Sequence, residues 1–307
     1  MIIIKDTTQF NIEDECAVTI GKFDGIHRGH RELIDRIIKK KEEGLKACVF
    51  TFDKSPLEFF SGRIVPGLTT VEEKRRIFEF LGVDILVEFP LNEKTAATDP
   101  EEFIEKILIS QLNMKYIAAG TDITFGNKGL GNASLIKEKA LNKYEYEIVD
   151  KLLINGDEVS SSLIREIVAS GDMERASNLI GVPYAIHGKI TRGNQIGRTI
   201  GFPTINIEVS RDKLMPPFGV YYTEISIEGR HYNGITNVGT KPTVTDDETV
   251  FAETNILNFN EDVYDKGATV KLLHFARPER KFNNLDELKT QISNDIDGGV
   301  RFFALHK

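Results

Sequence analysis

The sequence predicts an α/β chain in two parts, a doubly wound parallel sheet over residues 1–183 and a small antiparallel β-barrel over residues 184–307. Three observations predict it. In the first part, short apolar runs alternate with longer amphipathic ones, the βαβα pattern of a parallel sheet with helices on both faces. Near Pro183 the pattern changes to β-rich segments separated by Gly, Pro, Asn and Asp turns, as in a small barrel. A chain of 307 residues also exceeds what one hydrophobic core usually serves.

The elements follow in order. CAVTI (16–20) reads as a buried strand and RELIDRIIKKKEE (31–43) as a helix stopped by Gly44. LKACVFTF (45–52) is a strand. The segment 71–81 is a helix, opened by the capping box Thr70-x-x-Glu73 and closed by Gly82. A strand (83–89) precedes a helix over 100–112, with Asp99 as N-cap and Pro100 at its first position. YIAAG (116–120) is a strand, 134–144 a helix, 145–154 a strand, and 162–171 and 172–181 two further helices. Six β segments then run from YAIHGKI to ATVKLLHFA, and a closing helix is expected over 285–296.

Composition narrows the function classes. Lys and Arg number 39 against 47 Asp and Glu, a net charge of −8. That argues against a general nucleic-acid binder, and no nucleic-acid partner is expected. Cys16 and Cys48 sit in apolar runs and read as buried, reduced strand residues, without the His spacing of a zinc site. No uncharged run is long enough to span a bilayer, and the first residues lack a basic region followed by a long apolar one. No membrane association and a cytoplasmic location are therefore expected. The residues leave oligomeric state open.

In a doubly wound sheet, ligands bind beyond the carboxyl ends of the strands. GKFDGIHRGH (21–30) occupies such a place, between the first strand and the first helix. Gly21, Gly25 and Gly29 permit tight turns and close approach of backbone to a ligand. His27 and His30, three apart at the positive end of a helix, form with the free N–H groups a site suited to phosphates. Two histidines beside a turn are equally compatible with ordinary loop residues. In the second part, Thr204 and Asn206 are two apart, so their side chains share one strand face. A hydroxyl and a carboxamide oxygen are hard ligands suited to Mg²⁺ that also holds phosphates. As an isolated tripeptide, TIN reads more simply as the polar face of a barrel strand.

The order strand, GxFDGxHxGH, helix resembles the HxGH nucleotidyltransferases, and most closely their FAD-synthetase branch. TFDKSPLEFF (51–60), AAGTDITFGNKGLGN (118–132) and VSSSLIR (159–165) resemble the flavin and nucleotide loops of that branch. GFPTIN, PPFGVYY, NVGTKPTV, FAETNILNFNEDVY and FARPERKF occur in the order found in riboflavin kinases. Over nearly its whole length the chain resembles the bacterial bifunctional riboflavin kinase/FAD synthetases. The resemblance implies an adenylyltransferase domain over 1–183 and a kinase domain over 184–307. It implies ATP contacts at Gly21, Phe23, Asp24, Gly25, Gly29, Ser160, Ser161, Ser162 and Arg165, with His27 and His30 catalytic. It implies flavin contacts at Phe52, Pro56, Phe60, Asp122 and Phe125. In the kinase half it implies ATP contacts at Gly188, Lys189, Gly197, Gly201, Thr204 and Asn206, with Mg²⁺ on Thr204 and Asn206. Glu253 is implied as catalytic base and Arg277 as a flavin contact. Riboflavin, FMN, FAD and ATP are the implied small-molecule partners.

The chain departs from the family pattern at Lys22, Lys54, Ser55, Ile123, Ser162, Ile196, Ile205 and Asn255. Three other readings stand beside the main one. They are a kinase whose first half is weakly active or dependent on flavin redox state, an adenylyltransferase acting on another nucleotide or phosphopantetheine-type substrate, and a non-catalytic flavin sensor.

Overall fold

In the computed structural model of the protein, residues 1–192, 201–241 and 249–306 are described. By contact the chain divides into two units, Met1–Ser161 and Ser162–Lys307.

The first unit is built on a six-stranded sheet in the order β1-β4-β3-β2-β5-β6, every pair parallel. Its strands are β1 (Ile2–Lys5), β2 (Cys16–Ile20), β3 (Lys46–Phe52), β4 (Ile85–Phe89), β5 (Met114–Gly120) and β6 (Glu145–Val149). Its helices include α1 (Arg28–Lys39), α2 (Pro56–Ser61) and α3 (Val71–Phe80). β2 and β4 are buried throughout and β3 from Ala47 to Thr51, as expected of strands covered on both faces. One core cluster, containing Val18, Phe50, Phe103 and Leu108, covers one face. The other, containing Ala17, Val49, Ile34, Ile37 and Phe78, lies under α1 and α3.

The helix starts follow the local chemistry. Thr70 and Glu73 form the expected capping box, Asp99 accepts from the Glu101 and Glu102 N–H groups, and Gly44 ends the first helical segment at φ 91°. Three features were not expected. β1 adds an edge strand beside β4. The helix after Pro100 is α-helical only to Glu102 and π-wound over Phe103–Gln111, which aligns buried pairs that recur four residues apart. The strand expected over 145–154 stops at Val149, and a separate hairpin pairs β7 (Leu153–Ile154) with β8 (Asp157–Glu158). Asn155 and Gly156 make its turn, both left-handed at φ 52° and 88°, the geometry of a two-residue type I′ hairpin.

The second unit is a closed six-stranded barrel in the order β10-β13-β12-β11-β14-β9. Its strands are β9 (Tyr184–Thr191), β10 (Ile205–Glu208), β11 (Gly219–Ile227), β12 (Arg230–Lys241), β13 (Thr249–Ile256) and β14 (Gly267–Pro278). All ladders are antiparallel, and pairing of β10 with β9 closes the ring. Inside, the hydroxyls of Thr223, Thr236 and Thr254 satisfy one another in a chain at 2.8 Å per step. The last helix runs Leu285–Leu305, longer than expected, and is N-capped by Asn284.

The boundary expected at 183/184 follows the shift in local pattern, whereas by contact the helices Ser161–Ser170 and Met173–Ile180 group with the barrel. The second of these packs on β9 and β14. Arg277, expected at the flavin, anchors the last helix. Its Nε and Nη2 donate to the two carboxylate oxygens of Asp295 at 2.9 and 2.7 Å, and Gln291 adds a third bond to Asp295 at 2.7 Å. The Arg277 fork is held by a buried carboxylate. Asp295→Asn should lower the unfolding free energy by roughly 2 kcal/mol in urea titrations, and the double change Arg277→Met/Asp295→Leu should recover part of the loss.

Candidate functional sites

From β2 the chain moves outward through β3 to β4, then crosses to β5 on the other side of β2. The crevice at the carboxyl ends of β2 and β5 is therefore the topological switch point, where such sheets bind ligands. The loop 21–27 leaves β2 there and the loop 121–132 follows β5.

The first loop has an unusual backbone. Phe23, Gly25 and Ile26 are left-handed, with φ of 48°, 83° and 40°. For two non-glycine residues this conformation costs on the order of 1–3 kcal/mol each. Burial holds it. Both side chains are fully buried in the cluster beneath α1, and the Phe23 ring meets Phe78 edge-on at 5.6 Å. Phe23 was expected at the nucleotide, but its ring belongs to the core. Gly25 is required on two counts: its φ, and a Cβ that would sit 2.9 Å from Leu68. Segment 66–70 braces the turn from outside. The Leu68 N–H donates to Asp24 Oδ1 at 2.7 Å, and the Gly25 N–H to Thr69 Oγ1 at 3.2 Å. Sequence reasoning missed this brace because it joins residues more than forty positions apart. Ser161 Oγ donates to the Asp24 carbonyl at 2.9 Å.

The turn delivers both histidines to the start of α1. His27 is the N-cap, and its Nδ1 accepts from the His30 backbone N–H at 3.3 Å. This leaves the imidazole proton on Nε2. The two rings stack at 3.7 Å with an interplanar angle of 17°. Burial pushes the His27 pKa down to about 4, against an opposing pull from Asp24 and Asp122. Burial, then the neighbouring His27, drives His30 well below the usual histidine range. Both rings are therefore neutral near pH 7 and act as N–H donors rather than as standing cations.

The other expected residues of this unit divide. Phe52 is partly buried and packs edge-on against Phe50 and Phe89, and Pro56 opens α2. Phe60 is 76% exposed on α2, beside an exposed Leu57. Phe125, expected in a flavin wall, is 3% exposed and packs on Phe103 at 5.5 Å, so it is core. Asp122 is exposed and pairs with Lys151 at 3.4 Å. Gly21 and Gly29 lie against the Phe23 and His27 rings. Ser160 precedes the helix on which Ser161, Ser162 and Arg165 lie, and the second unit begins at Ser162. Two departures from the family pattern have structural uses: Ser55 caps α2 by accepting from the Glu58 N–H at 3.1 Å, and Ile123 packs against the sheet core.

In the barrel, register brings the expected residues together. Asn206 on β10 lies directly opposite Glu253 on β13 and, on its other side, Thr191 on β9. Glu253 in turn faces Asn237 on β12. Thr204 immediately precedes β10, and Asn206 is 3% exposed. Asn237 was not expected; its Nδ2 donates to Glu279 at 3.1 Å. Gly188 and Lys189 do not join this row. A Cβ at Gly188 would collide with Ile207, so the glycine is needed for barrel packing, and Lys189 pairs with Asp265 at 2.9 Å on the surface. Gly201 is left-handed at φ 92°. Gly197 and Ile196 lie outside the described residues. Among the described residues, no group of three His, Cys, Asp or Glu could hold a metal ion, and no helix is long and apolar enough to cross a membrane.

The fold defines a class: a nucleotidyltransferase-type parallel sheet joined to a closed antiparallel barrel of the riboflavin-kinase kind. Residues 9–163 match the FAD synthetase family model and residues 180–303 the riboflavin kinase model. The chain is 35% identical over 295 residues to the bifunctional riboflavin kinase/FMN adenylyltransferase of Bacillus subtilis, covering 94% of this chain and 93% of that one. It is 34% identical over 300 residues to the protein of that name from Escherichia coli, covering 96% and 95%. A solved structure described as a macrolide-efflux protein from Streptococcus pneumoniae superimposes with a TM-score of 0.85 at 30% identity, covering 96% and 97%. The chain belongs to the family of bifunctional riboflavin kinase/FMN adenylyltransferases.

The depressed histidines make stability depend on pH. A group whose folded pKa lies below its unfolded value of 6.5 contributes stability above pH 6.5 that is lost as pH falls toward 4. For His27 the loss is roughly 2 kcal/mol by pH 5. His27→Asn keeps a capping acceptor and removes the titration, so denaturation curves at pH 7.5 and 5 should lie closer together than for the parent.

Proposed function

We propose that the barrel unit phosphorylates riboflavin with ATP to give FMN and ADP, and that the sheet unit adenylylates FMN with a second ATP to give FAD and pyrophosphate. Family membership supports both steps. The observation that carries the assignment to separate sites is the pairing in each unit: stacked neutral histidines at a helix start in one, and Asn206 opposite Glu253 in the other.

In the barrel, Glu253 accepts the proton of the riboflavin 5′-hydroxyl as that oxygen attacks the γ-phosphorus of ATP. Thr204 and Asn206 would hold Mg²⁺. Their donor set is two neutral oxygens, which fits an ion that takes its remaining ligands from water and nucleotide phosphates. Bound there, the ion supplies neutralisation of phosphate charge. In the sheet unit, a phosphate oxygen of FMN attacks the α-phosphorus of ATP and pyrophosphate leaves, with no covalent enzyme intermediate. The first turn of α1 offers backbone N–H groups, and His27 offers Nε2–H, to oxygens that gain charge in the transition state. The exposed Phe60 offers an apolar surface for a flavin ring.

The test separates the two units. His27→Asn/His30→Ala should reduce FAD formation from supplied FMN by on the order of 10²–10³-fold and leave FMN formation from riboflavin unchanged. Glu253→Ala should do the opposite, with a loss on the order of 10²–10⁴-fold in FMN formation. Chromatographic separation of flavins over time reads both. A folded variant that lost both activities would overturn the division.

A further inference from the structure

Among the described residues, three buried side-chain polar atoms have no hydrogen-bond partner: Thr19 Oγ1, Thr51 Oγ1 and His30 Nδ1. Thr19 is 0% exposed and Thr51 4%. A buried hydroxyl left unsatisfied costs about 1–3 kcal/mol, and native interiors seldom contain one without a reason.

The three atoms are not scattered. Alternation puts Ala17, Thr19 and Gly21 on one face of β2, and Ala47, Val49 and Thr51 on one face of β3. The parallel register pairs Thr19 with Val49, so these are the same face of the sheet. Ala17, Ala47 and Val49 belong to the cluster beneath α1. On α1 the buried stripe is Leu33, Ile34 and Ile37, and His30 lies one turn before Ile34 on that stripe. The Phe23 ring ties strand to helix. Its centroid is 5.1 Å from that of His30, and its edge is 3.2 Å from where a Cβ at Gly21 would stand. Both threonines thus lie near the carboxyl ends of β2 and β3 on the face that α1 covers, and His30 lies in the first turn of that helix.

From this placement we infer that the Thr19 and Thr51 hydroxyls hold a buried water that donates a hydrogen bond to His30 Nδ1 and so fixes His30 as its Nε2–H tautomer. A buried water typically makes about three hydrogen bonds to otherwise unsatisfied polar groups, and three such groups are present. The stacked pair is then set by two devices with one result. His27 is fixed by the backbone N–H of His30, and His30 by the water, so both rings present Nε2–H. Thr19 and Thr51 are positioning residues that act through His30. Their effect on turnover rests on the adenylyl transfer proposed above; their effect on the tautomer does not.

The test uses the full chain with Thr19→Val/Thr51→Val, which conserves volume, beside Thr19→Ser/Thr51→Ser, which keeps the hydroxyls. In ¹⁵N-histidine NMR of the ligand-free protein, the expected result is a His30 Nε2–H tautomer that becomes mixed in the valine variant and is restored in the serine variant. In flavin assays, the valine variant should lose about 10–100-fold in kcat for FAD formation, with KM for ATP changed less than twofold and riboflavin phosphorylation unchanged. A urea unfolding curve and amide dispersion like the parent's report that the sheet unit has folded. A His30 protonated on Nδ1 in the parent, or a valine variant with the parent's tautomer, would overturn the inference. A tautomer that responds as expected in a chain making no FAD from FMN would support the water site and sink the adenylyl transfer.

Discussion

The turn from Phe23 to Ile26 is the constraint on which the first unit depends. Three left-handed residues in four positions form a backbone that the local chain would not choose. It persists because Phe23 and Ile26 are buried between sheet and helix, while Leu68 and Thr69 hold the turn from the other side. Core packing therefore pays for the geometry that points the start of α1 and its two histidines across the switch point. The same burial sets their charge state. Rings that are desolvated and stacked at 3.7 Å carry no net charge near neutral pH, and each keeps one ring N–H to donate.

The barrel solves its problem by register instead of strain. Closure of β9 onto β10 leaves no free edge, and the ladder between β10 and β13 sets Asn206 against Glu253. A slip of one residue would send both side chains to the other face. The internal threonine chain fixes β11, β12 and β13 against one another, because its hydroxyls satisfy one another only in this register. The two sites thus rest on independent physical devices in separate units of one chain, in keeping with two consecutive reactions.

Much of this was legible in the sequence. Hydrophobic period located most helices and strands, and cap residues such as Thr70, Asp99 and Gly44 marked where helices begin and end. The six barrel strands were visible from alternation and turn residues. These signals are local, carried by residues within one or two turns of each other. The hairpin turn at Asn155-Gly156 was equally local and was passed over just beyond the strand expected over 145–154.

Roles that depend on a distant partner were not legible. Phe23 and Phe125 sit inside binding motifs, yet their rings belong to the core, because only the packed sheet decides which side of a loop faces inward. Arg277 carries a side chain suited to a ligand phosphate or ring, and its pairing with Asp295 joins residues eighteen positions apart. The helices before Pro183 read correctly as helices, but their grouping with the barrel follows from a face that finds β9 and β14. By itself the sequence determined the elements, their order and the chemical types available at each loop. The tertiary structure alone decided which of those groups are buried, which are paired and how the two histidines stack, since burial and pairing are set by residues far apart in the chain.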